Sequence, residues 1–293
     1  MNLVIGASGQ VGKKLMTLIE GFHLPVHGTF FKSRAVQTVG SSRILIPLDV
    51  RDRQGVHNLI DLIRPTRIFI CSSLTGVDYC EDHPEEAKDM NVDGVKNIVD
   101  ACAGRLIKII YISTEYVFDG KMGPYGEDDA ICPLNVYGRT KIDAEQVILS
   151  TPHSLVARTA VVYDWDPDSK NFFMQLYQNV SNGKTMNVVS DQFSNPTLAR
   201  HLARLLWDLA EQNADGVFNV VGPDFISRYD FALAVAREFG WDEKLISPIA
   251  TSVLKQRAVR PLRAGLKIDK LRRRIDVSFM GLEKDIKLAR NLR

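Results

Sequence analysis

Short, unbroken apolar runs alternate with longer stretches of helical periodicity through the first half of the chain. Residues 2–5 form the first run, and Val11, Leu15, Leu18 and Ile19 then fall on one face of a helix. Further runs follow at residues 26–31, 44–48, 67–71, 107–112 and 154–158. A helix over residues 53–64 stops before Pro65, because the residue preceding a proline is driven out of the α region. Another opens at Pro84 with Glu85 and Glu86 in its first turn, carries Asn91 and runs towards Ala103. A proline and two carboxylates suit a helix start through ring geometry and the helix dipole. Strands that are apolar throughout are buried on both faces. The alternation therefore predicts an α/β fold, a Rossmann-type doubly wound parallel sheet with helices on each side.

After residue 160 the pattern becomes mixed. A polar loop over 164–170 precedes a helix over 171–182, whose aromatic stripe reads as core. A turn-rich segment, 191–197, leads into a helix over 198–210. A strand over 216–221, a helix over 228–239 and a loop at Arg260-Pro261 follow. This predicts a nucleotide-binding domain over residues 1–160 and a smaller substrate-binding part over 161–293. Segments around 198–221 are expected to return and pack on the first domain. A cleft between the two is the expected site.

Bulk properties narrow the class. The 293 residues can bury a sizeable core, and 45% hydrophobic with 25% charged content is that of an ordinary globular protein. The net charge is +2, and no basic block suggests a nucleic-acid surface. Arg272-Arg273-Arg274 reads most simply as a solvated helix face, with a grip on a diphosphate as the alternative. Cys71, Cys80, Cys102 and Cys132 lack paired spacing and read as reduced thiols in a cytoplasmic protein. The six histidines form no ligand cluster, so no metal site is expected. With the first strand starting at residue 2 and no apolar run of spanning length, neither a signal peptide nor a membrane segment is expected.

The candidate chemistry begins at Gly6-Ala-Ser8-Gly9-Gln10-Val11-Gly12, which sits between the first strand and the first helix. Glycines there allow a tight turn, close backbone approach to a pyrophosphate and close helix–strand packing, with the anion on the helix N-terminus. After the second run come Lys32 and Arg34, and no acidic residue occurs between Glu20 and Asp49. Cations there suit the 2′-phosphate of NADP, where an acidic residue would bind the 2′-hydroxyl of NAD; ordinary loop charges are the competing reading. Cys71 ends the fourth run, and Ser72 and Ser73 are small polar residues where a cofactor would pass. Tyr137 and Lys141 lie four apart, one turn on one helix face. A cation near a phenol favours the phenolate and makes the tyrosine a better proton-transfer group. Ser113-Thr114 ends the fifth strand, at the sheet edge where ligands bind.

The G-x-x-G-x-x-G spacing resembles the extended short-chain dehydrogenase/reductase superfamily. Ser113-Thr-Glu-Tyr-Val-Phe-Asp-Gly120 resembles the dTDP-4-dehydrorhamnose reductase family more narrowly. So do Pro124-Tyr125-x-Glu127-x-Asp129, Pro133-Leu-Asn-Val-Tyr-Gly-Arg-Thr-Lys141, Asp191-Gln-Phe with Pro196-Thr197, and Arg260-Pro261. The match runs nearly the whole chain, in order. It implies reduction by NADPH, or by NADH, of the 4-keto group of a nucleotide-diphosphate 6-deoxysugar. By the same resemblance Tyr137 donates the proton, Lys141 lowers the tyrosine's pKa and holds the nicotinamide ribose, and Thr114 bonds the carbonyl oxygen. Asp49 and Val50 would contact adenine. Thr75 would serve cofactor and substrate, and Asp78, Glu115, Tyr116, Gln192, Pro196, Thr197 and Arg260 would line the substrate. Some reductases of this family form homodimers through a metal-bridged acidic cluster; no such cluster is assignable here, and a homodimer stays open.

Two departures stand out. Glu115 replaces the family's usual aspartate, and Val161 stands where a tryptophan usually flanks the sugar. Two other readings share these motifs. The regulatory β subunit of methionine adenosyltransferase resembles the reductases at the same residues, binds NADP and works as a partner protein. Nucleotide-sugar dehydratases carry an acid–base pair after the threonine, which Glu115 could suggest; the Tyr116-Val-Phe-Asp-Gly120 that follows argues against a dehydratase, and a dehydratase or epimerase is the third reading.

Overall fold

A computed structural model describes residues 1–32, 44–278 and 280–292. The first half builds strands β1 (Asn2–Ile5), β2 (Val26–Phe30), β3 (Ile44–Pro47), β4 (Arg67–Ile70), β5 (Lys108–Thr114) and β6 (Ser154–Thr159). All neighbours pair parallel, in the order β6-β5-β4-β1-β2-β3. The helices between them are α1 (Gln10–Gly21), α2 (Arg53–Ile63), α3 (Val77–Asp82), α4 (Pro84–Lys88), α5 (Gly94–Cys102) and α6 (Val136–Leu149).

Strand alternation sorts the apolar side chains into two cores. Leu3 and Ile5 join Val56, Ile60, Ile98 and Ile148 on one face, whereas Val4 points to the other face with Leu15, Ile19 and Leu206. The single helix expected from Pro84 to Ala103 is instead α4 and α5 joined by a π-turn at Asp89–Asp93. Asn91 is buried in that turn, where its amide finds partners described below.

The second half begins with β7 (Val162–Tyr163), α7 (Phe172–Val180), β8 (Met186–Val189), β9 (Phe193–Ser194) and β10 (Thr197–Leu198). Next, α8 (Ala199–Glu211) packs on α1, and β11 (Gly216–Asn219) pairs parallel with β6 as the seventh strand of the main sheet. The remaining elements are β12 (Ile226–Ser227), α9 (Arg228–Phe239), β13 (Ile246–Ile249), α10 (Asp269–Arg274) and α11 (Leu282–Arg290). Three small ladders, β7–β10, β9–β12 and β8–β13, hold this part together. Its core gathers Tyr163, Phe173, Leu176, Phe231, Val235 and Ile286, and the aromatic stripe of α7 packs on it, Phe173 buried and Phe172 and Tyr177 half-buried. Arg272, Arg273 and Arg274 lie exposed on α10 and none borders the cleft described next.

Candidate active site

The carboxyl ends of β1, β4, β5 and β6 open onto one cleft of about 570 Å³. Its first wall is the glycine turn. Gly6 adopts φ +85°, and a Cβ on Gly12 would lie 2.3 Å from the Gly6 carbonyl oxygen, so neither position admits a side chain without moving the turn. Helix α1 has Gly9 at its cap position, with no side-chain cap and no acidic residue in its first turn, which leaves its N–H groups to an anion. The side-chain nitrogen Nε2 of Gln10 is buried without a partner, although its Oε1 accepts from Ser169 at 3.3 Å and Asn171 at 3.4 Å. A buried orphan donor is rare in a folded protein. These features fit the pyrophosphate of a dinucleotide.

Facing the glycine turn is the polar loop after β7. Buried Asp164 pairs with Arg200 at 2.8 Å and Lys14 at 3.5 Å, and Lys13 pairs with Asp166 at 3.0 Å. These pairs tie the loop to α1 and α8, so Ser169, Lys170 and Asn171 border the cleft. Composition alone marked this stretch only as a loop.

Of the predicted cofactor residues, Gly9, Gln10, Val11, Cys71, Ser73 and Thr75 border the cleft, as do Tyr137 and Lys141. The backbone of Ser72 closes against Gly6, where a Cβ would come 2.7 Å from the Ser72 nitrogen. Ser73 donates to Asn91 at 2.9 Å, and the Asn91 amide donates in turn to the Leu74 carbonyl and to Thr140 on α6, both at 3.1 Å. The π-turn thus ties the loop after β4 to the helix that carries Tyr137. Asp49, beyond β3, is held by Arg51 at 2.7 Å, which keeps its carboxyl below the usual range. Val50 packs against Gly94. Lys32 follows β2 at φ +52°, its ammonium 4.9 Å from the Phe31 ring centroid. Arg34 lies outside the described residues.

Thr114, Tyr137 and Lys141 meet at the cleft floor. Asn135 caps α6, accepting from the Gly138 N–H at 2.8 Å. The Thr114 oxygen accepts from the Tyr116 N–H at 3.2 Å, which leaves the hydroxyl proton for another acceptor. Burial raises the Tyr137 pKa well above its usual value, and the Thr114 hydroxyl beside it partly offsets the rise. The Lys141 ammonium donates to the Ile112 carbonyl at 2.7 Å and lies 4.1 Å from the Tyr111 ring centroid. Burial brings its pKa down to about 7, opposed by Glu145 and Cys71. Burial therefore dominates the phenol, and the lysine ammonium is engaged by β5.

Around this floor, Glu115 and Tyr116 line the cleft, and Gln192 and Pro196 border an adjoining recess of about 20 Å³. Asp78 and Arg260 bind each other at 2.6 Å rather than facing the cleft, and Arg260 lies beside the Tyr116 phenol. Thr197 is fully buried, its hydroxyl joining the Asn195 carbonyl at 2.9 Å to the Gly222 N–H at 3.1 Å. It holds backbone rather than ligand. The cleft also contains Thr159, whose buried hydroxyl has no partner, and Val161, at φ +39°. A β-branched residue in that region is an outlier that only surrounding contacts hold in place. Arg228 completes the lining. It arrives from α9, more than sixty residues beyond β6, and nothing in its local sequence pointed to the cleft.

A doubly wound parallel sheet that brings an uncapped glycine-turn helix against a Thr–Tyr–Lys set is the architecture of the extended short-chain dehydrogenases and reductases. Within that class the chain belongs to the RmlD substrate binding domain family, which matches residues 1–291. It is 31% identical over 262 residues to a dTDP-4-keto-6-deoxy-D-glucose reductase of Streptomyces niveus, covering 88% of this chain and 85% of that protein. It is also 29% identical to the methionine adenosyltransferase 2 subunit beta of Pongo abelii, over 92% of this chain and 80% of that one. Among solved structures, a hypothetical dTDP-4-dehydrorhamnose reductase from Sulfolobus tokodaii superposes with a TM-score of 0.86 at 30% identity, over 97% of this chain and 99% of that one. The Bacillus anthracis dTDP-4-dehydrorhamnose reductase, solved in complex with NADP, shares the fold with a TM-score of 0.89 at 23% identity, covering 100% of this chain and 99% of that one. Among the described residues no helix is long and apolar enough to cross a membrane, and no cluster of three or more potential ligands could hold a metal.

Proposed function

We propose that this chain reduces the 4-keto group of a nucleotide-diphosphate 6-deoxysugar to an alcohol, using NADPH in preference to NADH. The observation that carries the reading is the convergence of Thr114, Tyr137 and Lys141 on the floor of a cleft whose rim is the uncapped start of α1. Gly9, Gln10 and Val11 would hold the cofactor's pyrophosphate, and Ser73 and Thr75 would flank its path. Lys32, beyond β2, supports the preference for the 2′-phosphorylated form. A nicotinamide cofactor bound there supplies the hydride.

The protein's own part is acid catalysis and charge stabilisation. A phenol held neutral by burial is loaded with its proton at physiological pH, so Tyr137 can deliver it to the carbonyl oxygen as negative charge builds. The Thr114 hydroxyl, beside the Tyr137 phenol, can donate to the same oxygen and stabilise it. The phenolate left behind sits in a low-dielectric floor, and that burial favours its reprotonation. The free thiols, including exposed Cys132, suit a reducing, cytoplasmic compartment.

The similarity to methionine adenosyltransferase β subunits favours a second reading, a non-catalytic NADP-binding partner protein. One experiment separates the two: NADPH consumption with dTDP-4-keto-6-deoxyglucose, wild type against Tyr137→Phe. Turnover that falls by about 10²–10⁴-fold in the variant is expected, the usual worth of a positioned proton donor. Tight NADPH binding with no turnover would replace the reductase reading with the partner-protein one.

A further inference from the structure

Arg228 has no task in the mechanism above. It opens α9 behind the cap Ser227, and its backbone N–H donates to the Gln192 carbonyl at 2.9 Å. Its guanidinium lies 4.9 Å from the Phe172 ring centroid and has no carboxylate partner among the described residues, unlike Arg158, Arg200 and Arg260. Arg228 borders both the main cleft and the 20 Å³ recess beside it. Glu115 borders both as well. One of its oxygens accepts from Ser194 at 2.5 Å, and the other has no partner among the described residues. The two charged groups influence each other without forming an ion pair.

The recess therefore offers one carboxyl acceptor and one guanidinium donor between apolar walls that include Val161, Ile226 and Phe231. Its volume is that of about one water, hence of one hydroxyl group. A tryptophan at Val161, as the reductase resemblance leads one to expect, would overfill it.

We propose that Glu115 and Arg228 form a subsite that reads the 3-hydroxyl of the keto sugar and rejects its deoxy and amino counterparts. The proposal rests on the keto-sugar reading. In a 6-deoxy-4-keto sugar the carbons beside the ketone bear the 3-hydroxyl on one side and the methyl-bearing C5 on the other. Thr114 and Glu115 are successive residues at one strand end, so a ketone held by the first brings a neighbouring hydroxyl to the second. A hydroxyl donates and accepts at once, which matches the pair. An ammonium would meet the Arg228 charge, and a methylene would leave the buried Glu115 carboxyl and the half-buried Arg228 guanidinium without that partner. Burial pushes the Glu115 carboxyl up to about 7, and it accepts a hydrogen bond in either protonation state.

The test follows NADPH oxidation by the full chain with dTDP-4-keto-6-deoxyglucose and with its 3-deoxy and 3-amino counterparts, for wild type, Arg228→Met and Glu115→Gln. Wild type should prefer the hydroxyl substrate by about 10²–10⁴-fold in kcat/KM, the cost of leaving Glu115 and Arg228 both unpaired. Arg228→Met should lose most of that preference and accept the 3-amino sugar relatively better. If wild type reduces the 3-deoxy sugar within about threefold of the hydroxyl substrate, the subsite is wrong while the reductase reading stands. An equal loss on all three substrates in Arg228→Met likewise removes the subsite. No turnover of any of them by wild type removes both.

Discussion

Glu145 and Arg158 form an ion pair beneath the Tyr137–Lys141 helix, each side chain only 3% exposed. Arg158 grips the carboxylate at 2.8 Å and 3.1 Å, Ser113 donates to it at 2.5 Å, and a further guanidinium N–H donates to the Glu127 carbonyl at 3.1 Å. The pair thus clamps α6 to β5 and β6 one residue before Thr114 and Thr159. Glu145→Gln would leave a guanidinium buried without its counter-charge, and breaking such a pair from one side costs about 3–5 kcal/mol. At about 2 °C per kcal/mol for a chain of this size, the melting temperature should fall by roughly 6–10 °C. Removing both charges with Glu145→Leu and Arg158→Met should recover most of that loss, because apolar groups of similar volume pack without a desolvation penalty. Urea unfolding and thermal melts of the wild type, the single variant and the double variant make the comparison. A single variant within 1 kcal/mol of wild type, or a double variant no better than the single, would show that the pair is not the clamp it appears from its geometry.

Two further outcomes follow from the same site. The Glu115 pKa is raised by burial from its usual 4.5 to about 7, so its contribution to stability is fully present below about pH 4.5 and is lost as pH rises through 7. Relative to Glu115→Gln, wild type should therefore lose up to about 3 kcal/mol between pH 4.5 and 8. Parallel stability curves for the two proteins would show that the buried carboxyl titrates normally. Gly12→Ala should weaken NADPH binding by at least about tenfold by fluorescence titration, since its Cβ would strike the Gly6 carbonyl and displace the turn that receives the pyrophosphate. Unchanged affinity would mean that the turn yields without affecting the cofactor site.

Much of the frame was legible from residue order because it depends on local patterning. Apolar runs bounded by glycine and proline, and the alternation of strand and helix, specify a parallel sheet wherever the runs are too apolar to face water. The glycine turn, Thr114 and the Tyr137–Lys141 spacing are likewise local, each carried by a few consecutive residues or one helical turn. What the chain order could not show is what distant elements do to those groups. Lys141 looked like the partner of Tyr137 because the two are one turn apart, yet packing gives its ammonium to the Ile112 carbonyl on a strand some thirty residues earlier. Asp78 and Arg260 looked like ligand contacts and are each other's partners across about 180 residues. Arg228 reaches the cleft, and Ser194 the recess beside it, only because β12 pairs with β9 and sets the start of α9 beside the end of β5. Hydrogen bonds and charges act over a few ångströms of space, whatever the separation along the chain. Residue types and spacing therefore determined the reaction class proposed here, and tertiary packing alone decided which charges are paired, which stand free in the cleft and how far burial moves each of them.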